Sequence, residues 1–223
     1  MELRAENISK RYFRKTGGAN YFYAVQPVSF SVPAGEVTVL TGRSGSGKTT
    51  LLHMLAGLLT PTEGKVYLGK TDLYSLPDAA LSRLRNEQLG VIAQGRSAID
   101  TLTVWENILL PARLYGREAP EAEATEWMER LGIAHLRDAR PAQLSGGELR
   151  RMAIVRTLAQ GPAVILADEP TGDLDDENTR LVLEALRAAA RQGKAVLLVT
   201  HETEALGYAD QAFRMDDGKL GQG

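Results

Sequence analysis

The sequence predicts an α/β protein: a parallel sheet core with an antiparallel strand group at its N-terminal side and a helical subdomain inserted in the sheet order. Three observations carry this. Short apolar, β-branched runs alternate with helical patterns, which requires a parallel sheet covered on both faces. The first 35 residues instead alternate polar and apolar positions, as in Val28-Ser29-Phe30-Ser31-Val32, and hold a Gly17-Gly18 turn. Residues from roughly Gly95 to Gln160 are helix-rich and interrupt the strand–helix alternation.

The strands are placed at Glu36–Thr41, Lys65–Leu68, Leu89–Ala93, Val164–Asp168 and Val196–Thr200, each apolar and bounded by turn residues. Helical patterns run over Lys48–Leu58 and Asn178–Gln192, and Glu121–Leu131 is an amphipathic helix of the inserted stretch. With 223 residues and no internal repeat or linker, the chain reads as one domain. Its sheet core comprises residues 1–94 and 161–223, and its helical subdomain approximately 95–160.

Composition narrows the function. The hydrophobic share of 43% and charged share of 24% are those of a globular protein in water. A net charge of −2 argues against a dedicated polyanion binder, so no nucleic-acid partner is expected. There is no cysteine, hence neither a disulfide nor a thiolate metal site. The N-terminal Met1-Glu2-Leu3-Arg4 carries no signal-peptide core. The longest nearly apolar stretch, Leu51 to Leu59, is about half a membrane span and contains His53.

Gly42-Arg43-Ser44-Gly45-Ser46-Gly47-Lys48-Thr49 matches G-x-x-x-x-G-K-[ST], follows the apolar run Val37–Leu40, and opens a helix that continues with Thr50. Glycines let successive N–H groups face one centre, and the helix N-terminus adds positive potential. Lys48 is suited to the β- and γ-phosphates and the Thr49 hydroxyl to Mg²⁺. The sheet core is therefore that of a P-loop NTPase. Val164–Asp168 then delivers Asp168 and Glu169 to the C-terminal edge of the sheet, where open α/β folds bind ligands. Asp168 is suited to hold hydrated Mg²⁺, and Glu169 to polarise an attacking water. A strand ending in solvated acids is common; the phosphate loop is what favours the catalytic reading.

Leu144-Ser145-Gly146-Gly147-Glu148 is partly a capping box, Ser145-x-x-Glu148, at the start of a helix that stops at Gly161-Pro162. Capping does not require two glycines, which suggest close backbone approach by a ligand. With the preceding elements, Leu-Ser-Gly-Gly-Glu resembles the signature motif of the ATP-binding-cassette (ABC) ATPases. The resemblance implies roles for further residues that singly could be polar strand ends or core. Gln94 resembles the Q-loop glutamine at Mg²⁺ and water, and His201 the switch histidine near the γ-phosphate. Gly172-Asp173-Leu174-Asp175 resembles the D-loop, and Tyr12 the aromatic that stacks on adenine, with Tyr21 and Tyr23 as competitors.

Within that family the chain is most similar to the ATPases of macrolide exporters, lipoprotein-release complexes, cell-division complexes and bacitracin-resistance transporters. It departs from them at Ala93 and at Gly95-Arg96-Ser97-Ala98-Ile99, where that group carries aromatic and Leu-Pro residues. The resemblance implies ATP and Mg²⁺ as cofactors and a second copy of the chain as ATP-dependent partner. It also implies an integral membrane permease subunit, with location at the cytoplasmic face of the cell membrane through that subunit. A transport engine and a mechanical signal-transmission ATPase of the cell-division type share all these motifs. A DNA-repair ATPase would need a long coiled coil or zinc hook, and a GTPase an Asn-Lys-x-Asp motif; neither occurs here.

Overall fold

The computed structural model describes residues 1–13, 21–95, 97–172 and 174–222. The Gly17-Gly18 turn, Arg96 and Asp173 lie outside the described residues. Two sheets carry the fold. The strands β1 (Leu3–Phe13), β2 (Tyr21–Val32), β4 (Glu63–Leu68) and β5 (Thr71–Asp72) form an antiparallel sheet in the order β2-β1-β4-β5. The second sheet joins β3 (Val37–Thr41), β6 (Leu89–Ile92), β7 (Val164–Asp168), β8 (Ala195–Thr200), β9 (Gln211–Asp216) and β10 (Lys219–Gln222) in the order β10-β9-β3-β8-β7-β6. All its pairs are parallel except β9–β10.

The run at 65–68, read from sequence beside the parallel strands, belongs to the antiparallel sheet, where Val66 pairs with Ala5. Apolar content alone does not say which sheet a short strand joins.

The central strands β3, β7 and β8 are buried along nearly their whole length, so their side chains feed two cores by the period-2 alternation. Val37, Val39, Ile165, Ala167, Val196 and Leu198 face one core. Leu40, Val164, Leu166, Leu197 and Val199 face the other. The second core is closed by α1 (Lys48–Leu55), which contributes Leu51, Leu52, Met54 and Leu55, and by the inner face of the antiparallel sheet.

The first core is closed by α3 (Val104–Leu114), α4 (Glu121–Arg130), α5 (Gly146–Ala159) and α6 (Asp176–Arg191). α2 (Asp78–Gln88) leads into β6. The helical stretch before β7 therefore shares one continuous core with the sheet: Ile108, Trp127 and Met152 cluster with Ile165 and Leu198. α6 shows the spacing this demands, burying Thr179, Val182, Leu183, Leu186, Ala189 and Ala190 on one stripe.

Register brings the chemistry together. Thr41 pairs with Thr200, Asp168 with Val199, and Ala167 with Ile92. The carboxyl ends of β3, β6, β7 and β8 thus meet along one edge.

Candidate functional site

Each loop at that edge supplies one part. The loop after β3 is tightly built. Gly47 has φ +106°, and a Cβ there would lie 2.2 Å from the Ala24 carbonyl. Only glycine permits this approach, which draws β2, with Phe22 and Tyr23, up to the phosphate loop. Gly42 is constrained likewise, since its Cβ would lie 2.3 Å from the Met215 carbonyl. Lys48 is buried, and its ammonium donates to the carbonyls of Gly42 (2.6 Å) and Arg43 (3.1 Å). Ser46 is also buried, with its hydroxyl unpartnered among the described residues.

A cavity of about 830 Å³ opens above this loop. Its floor is Arg43, Ser44, Gly45, Gly47, Lys48 and the Thr49-Thr50 start of α1. Gln94, Glu169 and His201, just after β6, β7 and β8, also line it, as do Tyr12, Phe22 and Tyr23 from β1 and β2. Tyr12 and Phe22 are each 39% exposed, with ring centroids 5.9 Å apart and planes tilted by 33°. Of the competing tyrosines, Tyr23 reaches the cavity, and Tyr21 packs edge-on against it. Phe22 carries no motif in the sequence; its place at the cavity comes from its pairing with Tyr12 across β1 and β2.

Asp168 is 2% exposed. One of its oxygens has no hydrogen-bond partner among the described residues, and the Thr49 hydroxyl is near enough to its carboxylate to affect its titration. Burial pushes its pKa up, against the opposing effect of Thr49. Glu169 follows at φ +48°, a left-handed conformation uncommon for a residue with a side chain. Its Oε2 accepts from Thr200 Oγ1 (3.1 Å) and lies 3.0 Å from His201 Nδ1. That hydrogen bond, and then the Glu169 charge, raise the pKa of His201, whose ring is otherwise largely exposed.

Ser145, Gly146 and Gly147 are not brought to the larger cavity. Ser145 caps α5: its hydroxyl accepts from Glu148 N (3.3 Å), and the Glu148 carboxylate accepts from Ser145 N (2.7 Å). This bond holds the Glu148 carboxyl below its usual range. Gly146 instead lines a second cleft of about 340 Å³ with Gly95, Arg150 and Gly172. Gln94 and Glu169 line both clefts. Nor does Asp175 reach the cavity wall. Its oxygens accept from Asn178 N (2.8 Å) and Asn178 Nδ2 (2.9 and 2.8 Å), so it is the N-cap of α6.

The comparisons with known proteins agree on one family. The family profile described as ABC transporter matches residues 25–172. A structure of MJ0796, described as a bacterial ABC transporter cassette in dimeric form, is 32% identical, with a TM-score of 0.89 over 99% of this chain and 98% of that one. The chain belongs to the ABC transporter family. A second MJ0796 structure, a dimeric post-hydrolysis state bound to ADP and Pi, is 31% identical, with a TM-score of 0.88 over 99% of this chain and 98% of that one. A nucleotide-free ATP-binding cassette from an ABC transporter is 29% identical, with a TM-score of 0.81, covering 100% of this chain and 92% of that one. The protein is thus an ABC ATPase cassette. Among its described residues no helix is long and apolar enough to cross a membrane.

Proposed function

We propose that this cassette binds MgATP in the larger cavity and pairs with a second copy of itself over the nucleotide. In this reading it drives a separate integral membrane permease of an export or lipid- and peptide-handling system, at the cytoplasmic face of the membrane. Adenine stacks against Tyr12, with Phe22 behind it. The amides of Gly42 to Thr50 and the ammonium of Lys48 hold the triphosphate; Lys48 exchanges its loop carbonyls for phosphate oxygens.

The donor set fits Mg²⁺. A hard cation of this size takes few protein oxygens and relies on substrate phosphates and water. The unpartnered oxygen of buried Asp168 and the adjoining Thr49 hydroxyl meet that need, with Gln94 at the cavity wall. When bound, the ion supplies charge neutralisation across the β- and γ-phosphates. Glu169 accepts a proton from the attacking water, base assistance of about 10²–10⁴-fold. Its hydrogen bonds to Thr200 and His201 fix the carboxylate, and His201 holds its proton toward Glu169 Oε2.

One observation carries the dimer. Gln94 and Glu169 line the chain's own phosphate cavity, while Ser145–Gly147 stand outside it with an exposed helix N-terminus, an anion site with no anion of its own chain to meet. A second protomer's nucleotide satisfies both. The MJ0796 dimers support this arrangement.

The test is the oligomeric state of Glu169→Gln, which keeps the cavity but loses the base. Sedimentation with MgATP is expected to show a dimer, with hydrolysis slowed about 100-fold or more, and a monomer without nucleotide. A monomer at saturating MgATP, or turnover near that of the wild type, overturns the reading. Affinity purification from membranes identifies the permease; a membrane subunit with no transport path would favour the signal-transmission alternative.

A further inference from the structure

Arg150 lies on α5 one helical turn beyond Gly146, and its guanidinium bonds to backbone oxygens from two other segments. Nη1 donates to the Ala93 carbonyl (2.6 Å) and Nε to the Pro170 carbonyl (3.1 Å). Nη2 donates to the Asp168 carbonyl (2.9 Å) and to that of Glu169. These acceptors belong to the end of β6, immediately before Gln94, and to the end of β7. A rigid planar fork with donors in fixed directions suits such convergence, and a lysine ammonium does not reproduce it.

The bonded carbonyls flank the carboxylate whose backbone is held at φ +48°. A non-glycine residue keeps that conformation only where its surroundings over-determine it. Here the Glu169 N–H donates to the Val199 carbonyl (2.8 Å), and its own carbonyl accepts from Gly172 N (3.2 Å) as well as from Arg150. Charge-assisted bonds are the stronger kind, and the one anchor that comes from the signature helix is Arg150.

We propose that Arg150 is a positioning residue that holds Glu169 and the Gln94 turn in register with the N-terminus of α5. A movement of α5, when Ser145–Gly147 meets a nucleotide, is thereby transmitted to the general base through the carbonyls of Asp168, Glu169 and Pro170, and to the Gln94 turn through that of Ala93. This rests on Glu169 being that base, and the experiment separates the two.

Steady-state and single-turnover hydrolysis are measured for Arg150→Ala, Arg150→Gln and Arg150→Lys, alone and combined with Glu169→Gln, beside nucleotide titration and thermal unfolding. Displacing a reacting group slightly is expected to lower kcat about 10- to 100-fold. KM and nucleotide affinity stay within about twofold, since transition-state positioning is lost and ground-state binding is not. Arg150→Lys recovers only a small part. In the Glu169→Gln background Arg150→Ala costs clearly less than it does alone, because only its hold on the Gln94 turn is then left to lose.

A parallel rise in KM, a fully active Arg150→Lys, or losses that multiply with Glu169→Gln overturn the role of Arg150 alone. Near-wild-type turnover of Glu169→Gln overturns the base, and the proposal with it. If Arg150→Ala does not fold, Arg150→Lys keeps the charge and stem and is read in the same cycle.

Discussion

Gly146→Asp separates what the signature does for its own fold from what it does across a dimer. Gly146 is the first residue of α5, and a Cβ there meets nothing within 4 Å. Gly147 is less suitable, since its Cβ would press Leu174 at 3.2 Å. In the isolated chain, aspartate at Gly146 replaces a poor helix former and places a carboxylate in the first turn, a gain of about 0.3–1 kcal/mol. The melting temperature is therefore expected to hold or rise by about 1–4 °C. Across a dimer the sign reverses. A carboxylate about 4 Å from a γ-phosphate charge is repelled by about 4 kcal/mol at the effective dielectric of a protein surface, or about 10³-fold in the closed complex.

ATP binding should thus survive in Gly146→Asp while turnover vanishes, whereas Lys48→Ala loses binding itself. Mixed in equal amounts, the two inactive chains should recover about a quarter of wild-type turnover: half the random dimers are mixed, and each keeps one intact composite site. Because the chain has no cysteine, Ser145→Cys supplies one unique thiol for a nucleotide carrying a reactive group on its γ-phosphate. Combined with Lys48→Ala and mixed with wild-type chain, it should become labelled although it binds no nucleotide itself. Label that appears only when the chain carrying Ser145→Cys retains Lys48 would refute the shared site.

Three further outcomes follow from the site. Tyr12→Ala should weaken ATP binding by about 1–3 kcal/mol, with Tyr12→Phe nearly silent; unchanged affinity in Tyr12→Ala, against a loss in Phe22→Ala, would move the stacking role to Phe22. Because burial raises the Asp168 pKa, the folded state binds that proton more tightly than the unfolded one, so stability falls as pH rises through the folded pKa and the charge costs stability at pH 7. Asp168→Asn should therefore raise the melting temperature of the nucleotide-free protein, by about 2–4 °C per kcal/mol released, and abolish Mg²⁺-dependent turnover; a lower melting temperature without nucleotide refutes this account. The raised pKa of His201 means its contact with Glu169 stabilises fully below the ordinary histidine value of about 6.5 and is lost as pH rises through the higher folded value. Titrating the His201 ring by NMR should show the midpoint falling in Glu169→Gln, and an unmoved midpoint would show that Glu169 does not set it.

The parallel strands were legible because buried strands on both faces read as unbroken apolar runs: Val164–Asp168 and Val196–Thr200 stand almost where periodicity puts them. The strand β9, which lies between β10 and β3, was not. Its Gln211-Ala212-Phe213-Arg214-Met215-Asp216 mixes polar and apolar residues, and its place beside β3 is decided by tertiary pairing. The phosphate loop was legible since its glycines and Lys48 are needed in a fixed order. What no local pattern reveals is convergence from distant loops. Arg150 reads as one more charge on a helix, and only the fold sets it against Ala93, Asp168, Glu169 and Pro170. The covering of the sheet by α3 to α5, likewise, is a property of shared burial and not of helical content.

The motif residues divide into two kinds by how far the chain itself satisfies their polar groups. Glu148 and Asp175 engage their carboxylates with backbone N–H groups of their own helix starts, which holds both below the ordinary range. The stability they contribute is present above the ordinary carboxylate pKa and lost as pH falls through the lower folded values. Those carboxylates are already satisfied and have no need of a ligand. Asp168 and Ser46 are the opposite case, buried polar groups with an oxygen left unpartnered among the described residues, a cost that a fold tolerates where a ligand repays it. Ser145 and Gly146 stand between the two: capped from within and exposed outward, with Gly146 lining a cleft that shares Gln94 and Glu169 with the phosphate cavity. The caps of α5 and α6 are complete within the chain itself, so neither helix start depends on a ligand for its hydrogen bonds. In the proposed dimer, closure has only to bring the N-terminus of α5 to a phosphate gathered by the second chain's loop, and Glu169, which borders both clefts, is the residue best placed to register that it has arrived.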